Sequence, residues 1–132
     1  MKSATVLNTE ISVTSVDEVS KLLNSEKSLS VAVCNVNTLV TCYRNKSINK
    51  IINSFDIKCP DGFPIAKSSE ILHKNQQKRV DGYNLFYETI KKGLENNTSH
   101  YFFGNTDKVT NKMISNLKIK FPKINIAGYT CP

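Results

Sequence analysis

Residues 100–128, HYFFGNTDKVTNKMISNLKIKFPKINIAG, contain two changes of hydrophobic period within one short stretch. The aromatic run His100-Tyr101-Phe102-Phe103 is stopped by Gly104, which predicts a compact strand. Val109, Met113, Leu117 and Phe121 then recur every fourth residue and form one apolar stripe of a helix. Thr106 stands at the N-cap position, Asp107 falls in the first turn against the positive end of the dipole, and Lys118 and Lys120 lie near the negative end. Pro122 closes the helix, and Ile124 to Ala127 is predicted as a further strand. A strand, helix, strand unit of this kind predicts a right-handed parallel crossover.

Working outward, Phe86, Ile90 and Leu94 predict a helix over Tyr83 to Glu95, supported by Glu88 and Lys92 at i,i+4, with a turn from Asn96 to Ser99. Earlier in the chain, the β-branched run Leu29 to Val36 reads as a buried strand, and Ile57 to Cys59 as a short one stopped by Pro60 and the Asp61-Gly62 turn. Helices are predicted near Thr38 to Tyr43 and Ile48 to Phe55, and a short one through Ile65, Ile71 and Leu72. The polar stretch His73 to Lys78 is expected to be a mobile loop. Near the amino terminus, residues 9–13 alternate weakly as a strand. Ser15 and Glu18 then form a capping-box pattern that opens a helix through Val19, Leu22 and Leu23. This order of elements predicts a single α/β domain over 1–132, a three-layer Rossmann-like sandwich with a mainly parallel sheet.

Length and composition fit that expectation. The 132 residues are 39% hydrophobic and 22% charged with no Trp, and no apolar run approaches the ~20 residues of a membrane-spanning helix. The segment MKSATVLNTE lacks an apolar secretory core, so a cytosolic location is expected, and the sequons at Asn45 and Asn97 are read as chance. Cys34, Cys42, Cys59 and Cys131 have no CxxC spacing and no neighbouring His pair, which predicts reduced, packed thiols and no zinc site. The net charge of +7 favours anionic partners as a class, including phosphorylated sugars, nucleic acid and acidic membrane surfaces, and fits a solvated lysine-rich surface equally well.

Chemistry concentrates between Lys58 and Phe86. Asp61 follows a strand end, where α/β folds place their ligand crevices, and a carboxylate there suits a general base. The same Asp61-Gly62 pair is also an ordinary turn former. Arg79, one of two arginines among the eighteen basic residues, suits bidentate recognition of phosphate or carboxylate, or a surface ion pair with Asp81 or Glu88. Asn35 and Asn37 end a predicted strand, where their amides can bond sugar hydroxyls or uracil edges or simply turn the chain. Gly104 precedes a helix N-terminus able to bind pyrophosphate through backbone amides, although no GxGxxG pattern is present. His73 and His100 lack ligand spacing.

Five short signals then fall in one order: Val33-Cys34-Asn35, Cys59-Pro60-Asp61-Gly62, Arg79-Val80-Asp81-Gly82-Tyr83-Asn84-Leu85, Tyr101-Phe102-Phe103-Gly104, and Phe121-Pro122-Lys123-Ile124-Asn125-Ile126. The series resembles the WecG/TagA/CpsF family of bacterial glycosyltransferases across nearly the whole chain. That resemblance implies an inverting, metal-independent transferase with no cofactor. It would move N-acetylmannosamine or a related hexose from a UDP donor to an undecaprenyl-diphosphate-linked acceptor in cell-surface polysaccharide or teichoic acid synthesis. By position it implies Asp61 as catalytic base, Asn35, Gly62 and Gly104 as substrate-binding positions, and Arg79 as the arginine that stabilises the departing diphosphate. No nucleic acid partner is expected from it, while a peripheral contact at the inner face of the membrane and a homo-oligomer are both compatible with it.

Val33 stands where the family usually has Thr, and Lys78 where it often has Glu. Family members continue beyond the position of Pro132, so a truncated product or N-terminal fragment is expected, and a noncatalytic sugar-nucleotide or polyanion-binding fragment is the alternative function. A structural subunit completed by another chain is a third reading.

Overall fold

The computed structural model of the chain describes residues 1–25 and 28–132. It divides into two compact units, Met1–Glu88 and Thr89–Pro132. The first contains β1 (Ser3–Val6), β2 (Thr9–Ser12), α1 (Val16–Leu23), β3 (Val31–Cys34), α2 (Val36–Arg44), α3 (Lys46–Asn53), β4 (Ile57–Pro60) and α4 (Phe63–His73). Helix α5 (Gly82–Gly93) carries the chain into the second, which adds β5 (Ser99–Phe103), α6 (Asp107–Lys120) and β6 (Asn125–Thr130). Among the described residues the strands form three pairs. β1–β2 is antiparallel, whereas β3–β4 and β5–β6 are parallel, so the fold is α/β with mainly parallel pairing.

In the first unit the β3–β4 pair is the organising element. Val31 lies opposite Ile57 and Val33 opposite Cys59, while Ala32 lies opposite Lys58 and Cys34 opposite Pro60, so alternate pairs face opposite sides. On one face Ile57 and Cys59 pack with Val19 of α1, Val80, and Leu85 of α5. On the other, Ala32 and Cys34 pack with Val6, Ile11, Leu39 and Ile65 from β1, β2, α2 and α4. Coverage of both faces is what parallel strands require, and it explains why all four residues of β4 are buried.

Lys58 is therefore only 6% exposed. Its ammonium donates to the backbone carbonyls of Phe55 at 2.8 Å and Asn53 at 3.3 Å, the carbonyl-rich end of α3, which stabilises the buried charge. Cys34, Cys42 and Cys59 are buried and unpaired, and burial pushes the Cys34 thiol to about 11 and the Cys59 thiol to about 12. Thiols of that kind are packing groups, as their spacing suggested.

Strand β1 was not among the predicted elements. It pairs with β2 through the two-residue turn Leu7-Asn8, where both residues take positive φ, 46° and 61°. Such a turn is usually announced by Asn-Gly or Asp-Gly, and Leu-Asn carries no such signal. Ser15 caps α1 through the Glu18 amide, but Glu18 accepts from Thr14 Oγ1 at 2.8 Å, so the capping box is only half formed. Residues 74–81 are irregular, as expected of a loop. Within them Gln77 is buried and its amide donates to Thr14 O and Lys78 O, which ties the loop to the residues just before α1.

In the second unit α6 joins the parallel β5 and β6, as the alternating periods predicted. The predicted stripe is only partly buried: Leu117 is buried and Met113 half-buried, while Val109 is 48% exposed. The neighbouring Thr110 is buried in its place, and its hydroxyl donates to Gly104 O at 3.3 Å. A hydroxyl that finds a partner at a turn lets a polar residue take an inward position that periodicity alone gave to Val109.

Candidate active site

The carboxyl ends of β3 and β4 bring four predicted site residues into one short region of the first unit. Parallel pairing fixes this: the Asp61 amide donates to Cys34 O at 2.8 Å and the Val80 amide to Pro60 O at 3.0 Å. Asn35 directly follows Cys34, Gly62 follows Asp61, and Arg79 precedes Val80. Three helices also begin here, with Asn35, Gly62 and Asp81 immediately before α2, α4 and α5.

The local chemistry of each residue differs. Asn35 Oδ1 accepts from the Thr38 amide at 3.0 Å and the Thr38 hydroxyl at 3.2 Å, so its carboxamide oxygen is the cap of α2. Its Nδ2 has no hydrogen-bond partner among the described residues, which leaves two N–H donors for a ligand. Gly62 takes φ 101°, a conformation that disfavours any side chain, and starts α4 with no side-chain cap. Pro64 contributes no N–H, so the first turn of α4 presents its few donors uncovered by protein side chains.

Asp61 and Arg79 meet as an ion pair, with Arg79 Nη2 3.7 Å from Asp61 Oδ1. Neither of the partners considered from sequence, Asp81 and Glu88, forms this pair. The separation is too long for a direct hydrogen bond, and the Arg79 side chain is 58% exposed. Asp81 is engaged elsewhere. Its Oδ1 accepts from the Asn84 amide at 3.0 Å and its Oδ2 from Asn84 Nδ2 at 2.8 Å. These two bonds, with the Arg79 charge, hold the Asp81 carboxyl below the ordinary carboxylate range. The role of Asp81 as the α5 cap was missed, although an Asp three residues before Asn84 and just ahead of an apolar helical run carries the signal. Gly82, the first residue of α5, lies beside Val33 of β3, where an added Cβ would make an ordinary contact at 3.5 Å from Val33 Cγ1.

Beside this edge lies an open depression of about 310 Å³ lined by Val13, Thr14, Ser15, Glu18, Gln76 and Lys78. Gly104 belongs to the second unit. It takes φ 117° at the end of β5, has open space where a Cβ would point, and lines a hollow of about 300 Å³ with Tyr101, Phe103, Asn105, Val109 and Met113. Thr106 precedes α6 but makes no side-chain cap bond. His73 Nε2 lies 2.8 Å from Thr5 O, and in the second unit burial lowers the His100 pKa. Among the described residues no group of three or more His, Cys, Asp or Glu side chains is gathered to hold a metal ion.

The arrangement at Asp61 can do two things chemically. A carboxylate that is partly buried but still reachable, its side chain 26% exposed, can accept a proton, and a neighbouring guanidinium can hold an anion as it forms. Among the described residues no helix is long and apolar enough to cross a membrane.

Comparison with known proteins covers most of the chain. The sequence model described as "Glycosyl transferase WecG/TagA/CpsF family" matches residues 4–132. Two curated relatives carry the name N-acetylglucosaminyldiphosphoundecaprenol N-acetyl-beta-D-mannosaminyltransferase. The one from Bacillus spizizenii (strain ATCC 23059 / NRRL B-14472 / W23) is 28% identical over 108 residues, covering 82% of this chain and 42% of the relative. The one from Bacillus subtilis (strain 168) is 21% identical over 100 residues, covering 76% and 39%. The chain thus spans about two fifths of the length of these relatives.

Proposed function

The chain belongs to the WecG/TagA/CpsF glycosyl transferase family, and from that premise we propose that it carries the base and leaving-group side of a hexosyltransferase site. The reaction is transfer of N-acetylmannosamine or a related hexose from a UDP donor to a sugar on undecaprenyl diphosphate, in synthesis of a bacterial cell-surface polymer. The relatives' names supply the acceptor and sugar class. One observation carries the assignment of roles: a carboxylate and a guanidinium 3.7 Å apart at the carboxyl edge of a parallel strand pair.

Asp61 takes the proton of the acceptor hydroxyl as its oxygen attacks C1 of the donor sugar. The bond from C1 to the diphosphate oxygen breaks on the opposite face, UDP departs with the electron pair, and the anomeric centre is inverted. Arg79 neutralises the charge that grows on the diphosphate, with no resident metal ion required. Asn35 offers its Nδ2 to the donor, and the uncapped start of α4 at Gly62 offers backbone amides to phosphate. On this reading the strand pairs are parts of a three-layer Rossmann-like sandwich, and the lipid-linked acceptor draws the protein to the inner membrane face.

The test is transfer from UDP-N-acetylmannosamine to a soluble, short-chain analogue of the lipid-linked acceptor, with and without EDTA. Transfer that survives EDTA and is lost in Asp61→Asn supports the proposal. Absence of UDP binding overturns it. Binding of any polyanion with steep salt dependence would instead favour the alternative suggested by the +7 charge, a noncatalytic polyanion-binding fragment.

A further inference from the structure

The Asp61–Arg79 pair joins the proposed base to the proposed diphosphate ligand, two groups that must act on different partners. A carboxylate that faces a guanidinium is not turned to an acceptor hydroxyl, and a guanidinium that faces a carboxylate is less available to phosphate. We infer that the two groups form a latch: the donor diphosphate competes with Asp61 for Arg79, and its binding releases Asp61 to receive the acceptor hydroxyl. This rests on the assignment of Asp61 and Arg79 proposed above and adds the order in which they become competent.

Three features make the exchange easy. The pair is long at 3.7 Å and the Arg79 side chain is more than half exposed, so little holds it in place. A diphosphate offers the planar fork of arginine two parallel, charge-assisted hydrogen bonds, which the resting pair lacks. The other nearby carboxylate, Asp81, is held in place by the Asn84 amide and Nδ2, one on each oxygen, and in the resting state the ion pair of Arg79 is with Asp61. Lys78, the adjacent cation, lines the neighbouring depression with Glu18 and does not pair with Asp61. The consequence is ordered: without donor the base stays occupied, and with donor bound it faces the acceptor.

The latch makes an unusual prediction, that removing the proposed base tightens binding of the leaving group. UDP is the probe, titrated calorimetrically into the full 132-residue chain. Asp61→Asn, and Asp61→Ala as a second variant, should bind UDP about two- to fivefold tighter than the parent, the range to which an exposed ion pair converts. Loss of a negative charge would favour any anion somewhat, so Arg79→Gln is the discriminating background. There the Asp61 substitutions should produce no gain, because there is no arginine to release. A gain that persists without Arg79 overturns the latch in favour of general electrostatics. Parent chain that binds UDP, with Asp61 variants that bind equally or less well, overturns the latch while leaving the transferase reading intact. If neither the parent nor the variants bind UDP, the donor-site reading falls and takes the latch with it.

Discussion

The two parallel strand pairs of this chain follow the same plan and meet different fates. At β3–β4 both faces are packed, and two of the three helices that start at its carboxyl edge are capped by a side chain, Asn35 on α2 and Asp81 on α5. At β5–β6 the alternate residues Ser99, Tyr101 and Phe103 are exposed, Phe103 at 76%, and α6 starts without a side-chain cap. Tyr101 finds room against Gly128, where an added Cβ would come within 3.1 Å of its ring, and its hydroxyl meets that of Thr130. The first pair thus combines rigidity with polar groups at its rim, which is what preorganised chemistry needs. The second presents an aromatic face beside a glycine turn.

The largest expected effect breaks the comparison at its chemistry. Asp61→Asn should lower transfer by about 10²- to 10⁴-fold, the usual worth of a positioned general base. Gly104→Ala in the second unit forces a side chain into φ 117° but meets no atom, so it should cost less than about tenfold and mainly through backbone strain of about 1 kcal/mol. Initial-rate measurements on both variants check this. Equal losses would mean that the glycine turn is as close to the chemistry as the carboxylate.

Stability should divide the units next. Ile57→Ala removes a buried β4 side chain and should cost about 2 to 5 kcal/mol, whereas Ile119→Ala on α6, where the side chain is 79% exposed, should stay within about 0.5 kcal/mol. Urea unfolding midpoints of the two variants measure the difference. A large loss at Ile119 would show that the second unit's outer face is covered in solution.

The capping contrast is finer. Asn35→Ala should destabilise by about 1 kcal/mol, because the Thr38 amide loses its acceptor. Thr106→Ala should cost no more than a few tenths, because no side-chain cap is lost. The same urea titrations read both, and a matching loss at Thr106 would mean that its hydroxyl caps α6 in solution.

These contrasts also explain what could be read in the sequence. Strands β2 to β6, the helices and the Asp61-Gly62 turn were legible because apolar period and turn residues are local properties. The strand ends and helix starts that carry Asn35, Asp61 and Gly62 have a local signature, Arg79 stood out as one of two arginines, and the roles expected of them came from the resemblance. Which carboxylate Arg79 meets was not legible, since that depends on β4 and the 74–81 loop lying side by side through the Val80 amide and Pro60 carbonyl. Strand β1 escaped because Leu7 adopts positive φ without the residue that normally announces it. Val109 and Thr110 exchanged expected places because burial of Thr110 hangs on its bond to Gly104 O.

The smallest effect separates the regions by pH. Asp81 has a folded pKa below its unfolded value of about 3.9, first because the Asn84 amide bonds its carboxylate. Its contribution is therefore present above pH about 4 and is lost as pH falls through the folded value. His100 in β5 also has a folded pKa below its unfolded value of about 6.5, because burial disfavours the imidazolium. For an imidazole that depression means the unfolded chain binds the proton first, so stability holds above pH about 6.5 and declines from there down to the folded value. The second pair should thus weaken in mild acid and the rim of the first only in strong acid. Asp81→Asn keeps an oxygen to cap α5 and should flatten only the response below pH about 4, and His100→Gln should flatten only the response that begins near pH 6.5. Urea midpoints across pH 7.5 to 3 resolve the two windows. A His100→Gln chain that still softens at pH 6 would place the mild-acid response outside β5.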